Sequence, residues 1–154
     1  MVKQQVVITD LPVKCIYGLS VLSNDLTIAK DIKRVYQCYK TAVHAVEGDV
    51  VPLFVGSKDY NETTGDFTLF IGSDINSPGL RKITLPGGEY AHFPVKPKFG
   101  RFWGSAIGKA KRRFYGSWLP RNGYESRNID FEYHTQKSLL DSPEIDMFFA
   151  VKKI

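Results

Sequence analysis

The side chain best placed to do chemistry is Glu132, in the run Ile129-Asp130-Phe131-Glu132-Tyr133-His134. Successive side chains of a strand point to opposite faces. Alternation therefore predicts Ile129, Phe131 and Tyr133 on one face, and Asp130, Glu132 and His134 on the other. The stretch from Phe67 divides into Phe67, Leu69 and Ile71 against Thr68 and Phe70. The last strand divides into Ile145, Met147, Phe149 and Val151 against Asp146, Phe148, Ala150 and Lys152. If the more apolar faces lie under helices, Phe131 and Tyr133 belong to a helix-covered core. The second face then carries Phe70 and Phe148 beside Glu132. Aromatic walls around one carboxylate suit a lipophilic cation, which the rings attract and the carboxylate neutralises. The plain alternative is that Phe70 and Phe148 fill a second small core and Glu132 is solvated. A carboxylate in such a setting also suits general acid or base work, with Tyr90 or Tyr115 adding a phenolic hydrogen bond. Binding and hydrolysis both stay open at this point.

Other chemistries find less support. His44, His92 and His134 are far apart, and neither Cys15 nor Cys38 belongs to a Cys-x-x-Cys or Cys-x-x-His pair, so no metal is expected. The chain has no Gly-x-Ser-x-Gly elbow, phosphate-binding loop or dinucleotide fingerprint, and no cofactor is expected. Gly87-Gly88 reads as a turn, and His134 as a surface histidine.

The elements that must position Glu132 come in a repeated order. A strand-like stretch follows Gln5, and Lys14 to Val21 reads as a strand. Ile28, Ile32, Val35, Tyr36, Tyr39, Val43 and Val46 then recur at helical spacing, with Asn24 or Thr27 as cap and Gly48 beyond the end. Strands Val50 to Val55 and Phe67 to Ile71 follow, across a polar turn. In the second half Lys82 to Leu85 and Glu89 to Val95 are extended, broken at Pro86-Gly87-Gly88. A helix is predicted from about Phe102 to Leu119, on Phe102, Trp103, Ala106, Ile107, Ala110, Phe114, Tyr115 and Trp118, ending at Pro120 and Gly123. Strands Ile129 to His134 and Ile145 to Lys152 close the chain, with Ser142-Pro143 between them. The order strand, helix, strand, strand thus occurs twice, over residues 2–76 and 79–154 of a single domain. The expected fold is α+β: duplicated units with pseudo-two-fold symmetry, an antiparallel sheet, helices on one face and a ligand cleft on the other.

Composition fits such a domain. The 154 residues are 43% hydrophobic and 24% charged, which excludes a disordered tail or a disulfide-stapled miniprotein. No apolar run is long enough to span a bilayer, no signal-peptide segment opens the chain, and a cytoplasmic setting is expected. The net charge of +5 is uneven: residues 1–77 hold 7 basic and 9 acidic side chains, residues 78–154 hold 14 and 7. No acidic residue falls between Glu89 and Glu125, where Lys96, Lys98, Arg101, Lys109, Lys111, Arg112, Arg113 and Arg121 lie. Because no readout motif accompanies them, these charges read as a solvated surface, and nucleic acid is not the expected partner.

Three segments resemble the gyrase-inhibitor-like (GyrI-like) effector-binding domains. Phe114-Tyr115-Gly116-Ser117-Trp118-Leu119-Pro120-Arg121-Asn122-Gly123-Tyr124 is similar to the family's helix end. Ile129-Asp130-Phe131-Glu132-Tyr133 resembles its Phe-Glu-x-Tyr strand, with Tyr133 following the Glu directly. Leu85-Pro86-Gly87-Gly88-Glu89-Tyr90-Ala91 is similar to its turn and strand before the second helix. The resemblance implies a duplicated fold that binds small, often aromatic and cationic molecules in a cleft between the halves, with Glu132 as the ligand-facing carboxylate. It implies aromatic walls, for which Tyr90, Phe70, Phe148, Tyr115 and Trp118 are the candidates, and Trp118 has a packing role as its alternative. It also implies alternatives: hydrolysis of strained-ring genotoxins by Glu132 with Tyr90, or a protein partner, gyrase or a regulator. The two repeats occupy the chain, so no DNA-binding domain is expected within it.

Overall fold

The first helix forms where apolar residues recur at three and four. Ile28, Ile32, Val35, Tyr36, Tyr39 and Val43 make one stripe, and α1 spans Ile28–Ala42. Asn24 and Thr27 divide the capping work. The Asn24 Oδ1 accepts from the backbone N–H groups of Leu26 and Thr27 at 2.9 and 3.0 Å, while Thr27 occupies the cap position itself. The Thr27 hydroxyl, and then that of Ser23, donate to Asp31 and hold its carboxyl below the usual range.

The computed structural model describes residues 5–44, 53–96, 103–135 and 144–154. Around α1 lie the strands β1 (Val7–Leu11), β2 (Lys14–Asn24), β3 (Leu53–Lys58) and β4 (Asp66–Ser73). The second half has β5 (Arg81–Leu85), β6 (Gly88–Val95), α2 (Trp103–Arg113), β7 (Tyr124–His134) and β8 (Ile145–Lys153). Beyond α2 the helix widens into a π-type turn over Phe114–Trp118, and Leu119–Arg121 adds a last turn. The helical position Val46, the stop at Gly48, residues 50–52, Phe102 and Ser142-Pro143 lie outside the described residues, as does the Trp103 side chain. Among the described residues no helix is long and apolar enough to cross a membrane.

All eight strands join one antiparallel sheet in the order β1-β6-β8-β7-β3-β4-β2-β5. The predicted α+β duplication is present, with one addition. Each unit opens with an extra strand that pairs with the other half: β1 with β6, and β5 with β2. The two exchanged strands are the outer edges of the sheet, and the turns beside them meet. A Cβ on Gly87 would lie 3.0 Å from the Val13 backbone nitrogen.

Both helices cover the same face. Val35 and Tyr39 of α1 pack on Val55, Leu69 and Ile71. Ala110 and Phe114 pack on Phe93, Met147 and Phe149. The register joins these groups, since Val55, Glu132 and Met147 stand side by side. The other face curls inward and buries Phe54, Phe70, Tyr90 and Phe131 with Ile16, Ile83, Leu85, Ile129 and Ala150. Among the described residues no helix packs on that second core, which the curl of the sheet encloses.

Candidate functional site

β3 and β7 are central strands of the sheet, between β4, which packs on α1, and the β8–β6 pair, which packs on α2. On the helix-covered face β7 presents Asp130, Glu132 and His134, paired across β3 with Ser57, Val55 and Leu53. Asp130 is 6% exposed and Glu132 7%. A buried carboxylate is costly unless it is neutralised and hydrogen-bonded.

Asp130 meets that requirement from three directions. The Lys111 Nζ of α2 stands 3.0 Å from one carboxylate oxygen, which also accepts from the Ser57 hydroxyl at 3.2 Å. The Tyr115 hydroxyl donates to the other at 2.7 Å. The wide turn makes this last bond fit: Phe114 stacks on Phe149 at 4.0 Å while the adjacent Tyr115 also reaches the sheet. Burial lowers the Lys111 ammonium, but the Asp130 and Glu132 carboxylates outweigh it and hold the group above the usual lysine range. Burial, and then Asp130, push the Tyr115 hydroxyl upward. Both groups keep their protons, and Lys111 with Asp130 is a neutral pair.

Glu132 has a different partner. Its Oε2 lies 2.6 Å from the Nε2 of His134, two residues along the same face. Among the described residues this face thus brings together two carboxylates and one lysine ammonium, and the lysine stands against Asp130. Histidine adds a positive charge only when protonated.

The register corrects the expected distribution of side chains. Phe131 and Tyr133 are not under the helices; they join Phe70 and Phe148 inside the curl, where Phe131 stacks on Phe148 at 5.1 Å. Glu132 points to the helix face, away from Phe70 and Phe148. Tyr90 is also inside the curl, donating its hydroxyl to the Pro86 carbonyl beneath the Arg127 guanidinium. Of the predicted group, Glu132, Tyr115 and Trp118 share the helix face, while Tyr90, Phe70 and Phe148 lie across the sheet. Trp118 packs between Phe114 and Tyr124, at 5.2 and 5.8 Å. The physical reason is that a curled sheet buries both faces, so the more apolar side of a strand need not face a helix.

The family follows from the whole length of this architecture. The model of Cass2, integron-associated effector binding protein, matches residues 12–151. The chain belongs to this family. The GyrI-like resemblance is borne out, and solved structures share the fold at low identity. An integron cassette protein from the mobile metagenome of Vibrio cholerae is 16% identical, with a TM-score of 0.69 over 96% of this chain and 95% of that one. A putative transcription regulation protein from Staphylococcus aureus MU50 is 12% identical, with a TM-score of 0.69 over 97% and 99%. SAV2435, solved bound to tetraphenylphosphonium, is 14% identical, with a TM-score of 0.72 over 96% and 94%. No curated protein sequence matches the chain.

Against this family background, sequence reasoning missed Lys111, Asp130 and Ser57. Lys111 reads as one more charge in a basic run. Its distinguishing signal is helical spacing, which sets Ile107 four residues before it and Tyr115 four after, on the inward side of α2.

Proposed function

We propose that this effector-binding protein takes a small lipophilic organic cation into the groove between α1 and α2, where Glu132 is the counter-charge. The observation that carries the reading is the unequal neutralisation of two buried carboxylates: Asp130 has a lysine and two hydroxyls, whereas Glu132 has a histidine. A bound cation would complete the balance at Glu132, whose hydrogen-bond partner is a histidine and not a lysine. The Tyr115 ring lies on the same face as a wall. The tetraphenylphosphonium bound to SAV2435 is a compound of this class. Sensing or sequestration of such compounds is the role that fits a binding domain of this kind. The gyrase partner rests on the family resemblance alone.

Calorimetry with tetraphenylphosphonium, beside neutral triphenylphosphine oxide, tests the reading. Glu132→Gln weakens the cation by roughly 1–3 kcal/mol, the scale of a charge-assisted contact, and leaves the neutral compound unchanged. Equal affinity of the two proteins for the cation overturns it.

The 2.6 Å Glu132–His134 pair favours one second reading, a hydrolase of strained-ring compounds. In that case His134, and not Tyr90 across the sheet, is the partner of Glu132. Product analysis after incubation with a cyclopropane-containing substrate separates the two: unchanged compound means a binder, a hydrated product an enzyme.

A further inference from the structure

We infer that Lys111 limits the ligand of this groove to a single positive charge, by occupying the place that the second charge of a dication would take. The inference rests on the reading that Glu132 holds an organic cation. Asp130 and Glu132 are two residues apart on one face of β7, about 7 Å by the rise of an extended strand. Two buried carboxylates at that spacing form a template for two cationic centres. In this chain one half of the template is already filled. Lys111 brings its ammonium to 3.0 Å from Asp130, with its side chain only 23% exposed, whereas its neighbours Lys109, Arg112 and Arg113 face solvent. Tyr115 and Ser57 supply the remaining hydrogen bonds of Asp130. A ligand with one charge meets Glu132 and finds Asp130 already paired with Lys111. A dication brings its second charge against a fixed ammonium, and like charges at short range in a partly dry site repel strongly.

Two fluorescent dyes with the same phenanthridinium ring system test this: ethidium carries one charge, and propidium a second on a propyl arm. The native protein prefers ethidium. Lys111→Ala exposes Asp130 and vacates space beside it, so the preference moves toward propidium by on the order of tenfold or more. Lys111→Ala with Asp130→Asn removes the exposed carboxylate and restores the ethidium preference, while Lys111→Arg keeps the native order. A second readout needs no dye. Millimolar ethylammonium, filling the vacated place, raises the melting temperature of Lys111→Ala but not that of the native protein. If Lys111→Ala does not fold, Lys111→Ser serves in both arms. Ethidium binding that depends on Glu132, with a dye ratio unmoved by loss of Lys111, overturns the charge limit and leaves the site standing. Ethidium binding that Glu132→Gln does not weaken overturns the site itself.

Discussion

The two faces of β7 are built from alternate residues of one strand, yet they do opposite things. Ile129, Phe131 and Tyr133 point into the curl and pack among Phe54, Phe70, Tyr90 and Phe148. Asp130, Glu132 and His134 point to the helix-covered face and carry its polar groups. Between Ile129 and Tyr133 the aromatic face carries no carboxylate; Glu125 and Asp146 stand at its ends. The helix face is polar at its centre, with apolar clusters under α1 and α2 on either side. A run of aromatics is thus a weaker sign of a binding site than a buried carboxylate whose hydrogen-bonded partner is a histidine. On the proposed reading, the side inside the curl serves stability and the carboxylates on the helix side serve selectivity.

The largest effect that would break the comparison belongs to the aromatic face. Phe131 is buried and meets Phe54 and Tyr90 edge-on at 5.5 and 5.6 Å. Phe131→Ala lowers stability by about 3–5 kcal/mol, read from the urea midpoint. The fraction that stays folded binds tetraphenylphosphonium as before; a selective loss of binding would move the site into the curl.

Next in size is Tyr115→Phe, which takes one donor from a buried carboxylate and costs about 1–3 kcal/mol. Urea denaturation measures it, and the same substitution with Asp130→Asn should cost less than the sum of the two alone. Additivity would show that the 2.7 Å bond contributes nothing of its own.

The alkaline limb of stability sharpens the same contrast. Lys111 and Tyr115 both have folded-state values raised above their unfolded ones, so the folded protein holds protons that the unfolded chain releases. Their contribution is complete below the unfolded values of about 10 and is lost as pH rises through the folded ones. Urea midpoints should fall above about pH 10, and less steeply in Tyr115→Phe. An identical slope in the variant would remove Tyr115 from the linkage.

The smallest effect is expected from Arg112→Glu with Arg113→Glu. Both side chains are exposed, and stability should change by less than about 0.5 kcal/mol for each. A salt-dependent loss of nucleic-acid binding in this variant would show that the basic run is a footprint and not surface charge.

Much of the fold is legible in the residues. The stripes of α1 and α2 and the turns at Pro86-Gly87-Gly88 and Gly123 follow from local rules. The exchange of β1 and β5 does not, because edge pairing between halves leaves no trace in the period of either strand. Glu132 is legible as a carboxylate set apart from Phe131, since alternation separates the two whichever face is covered; its burial is not. Nor are its surroundings. Alternation sorts a strand into two faces without saying which one the helices take, and a sheet that curls buries both. Lys111 is hidden for a related reason: the sequence shows a basic cluster, and only the packing of α2 turns one member of it onto Asp130.

The most direct test is to locate the cation. Tetraphenylarsonium is a heavy-atom analogue of tetraphenylphosphonium, and its arsenic gives an anomalous signal in a crystal of the complex. An arsenic peak between α1 and α2, with Glu132 as the nearest carboxylate, is the expected result. A peak inside the curl, against Phe54, Tyr133 and Phe148, would contradict it.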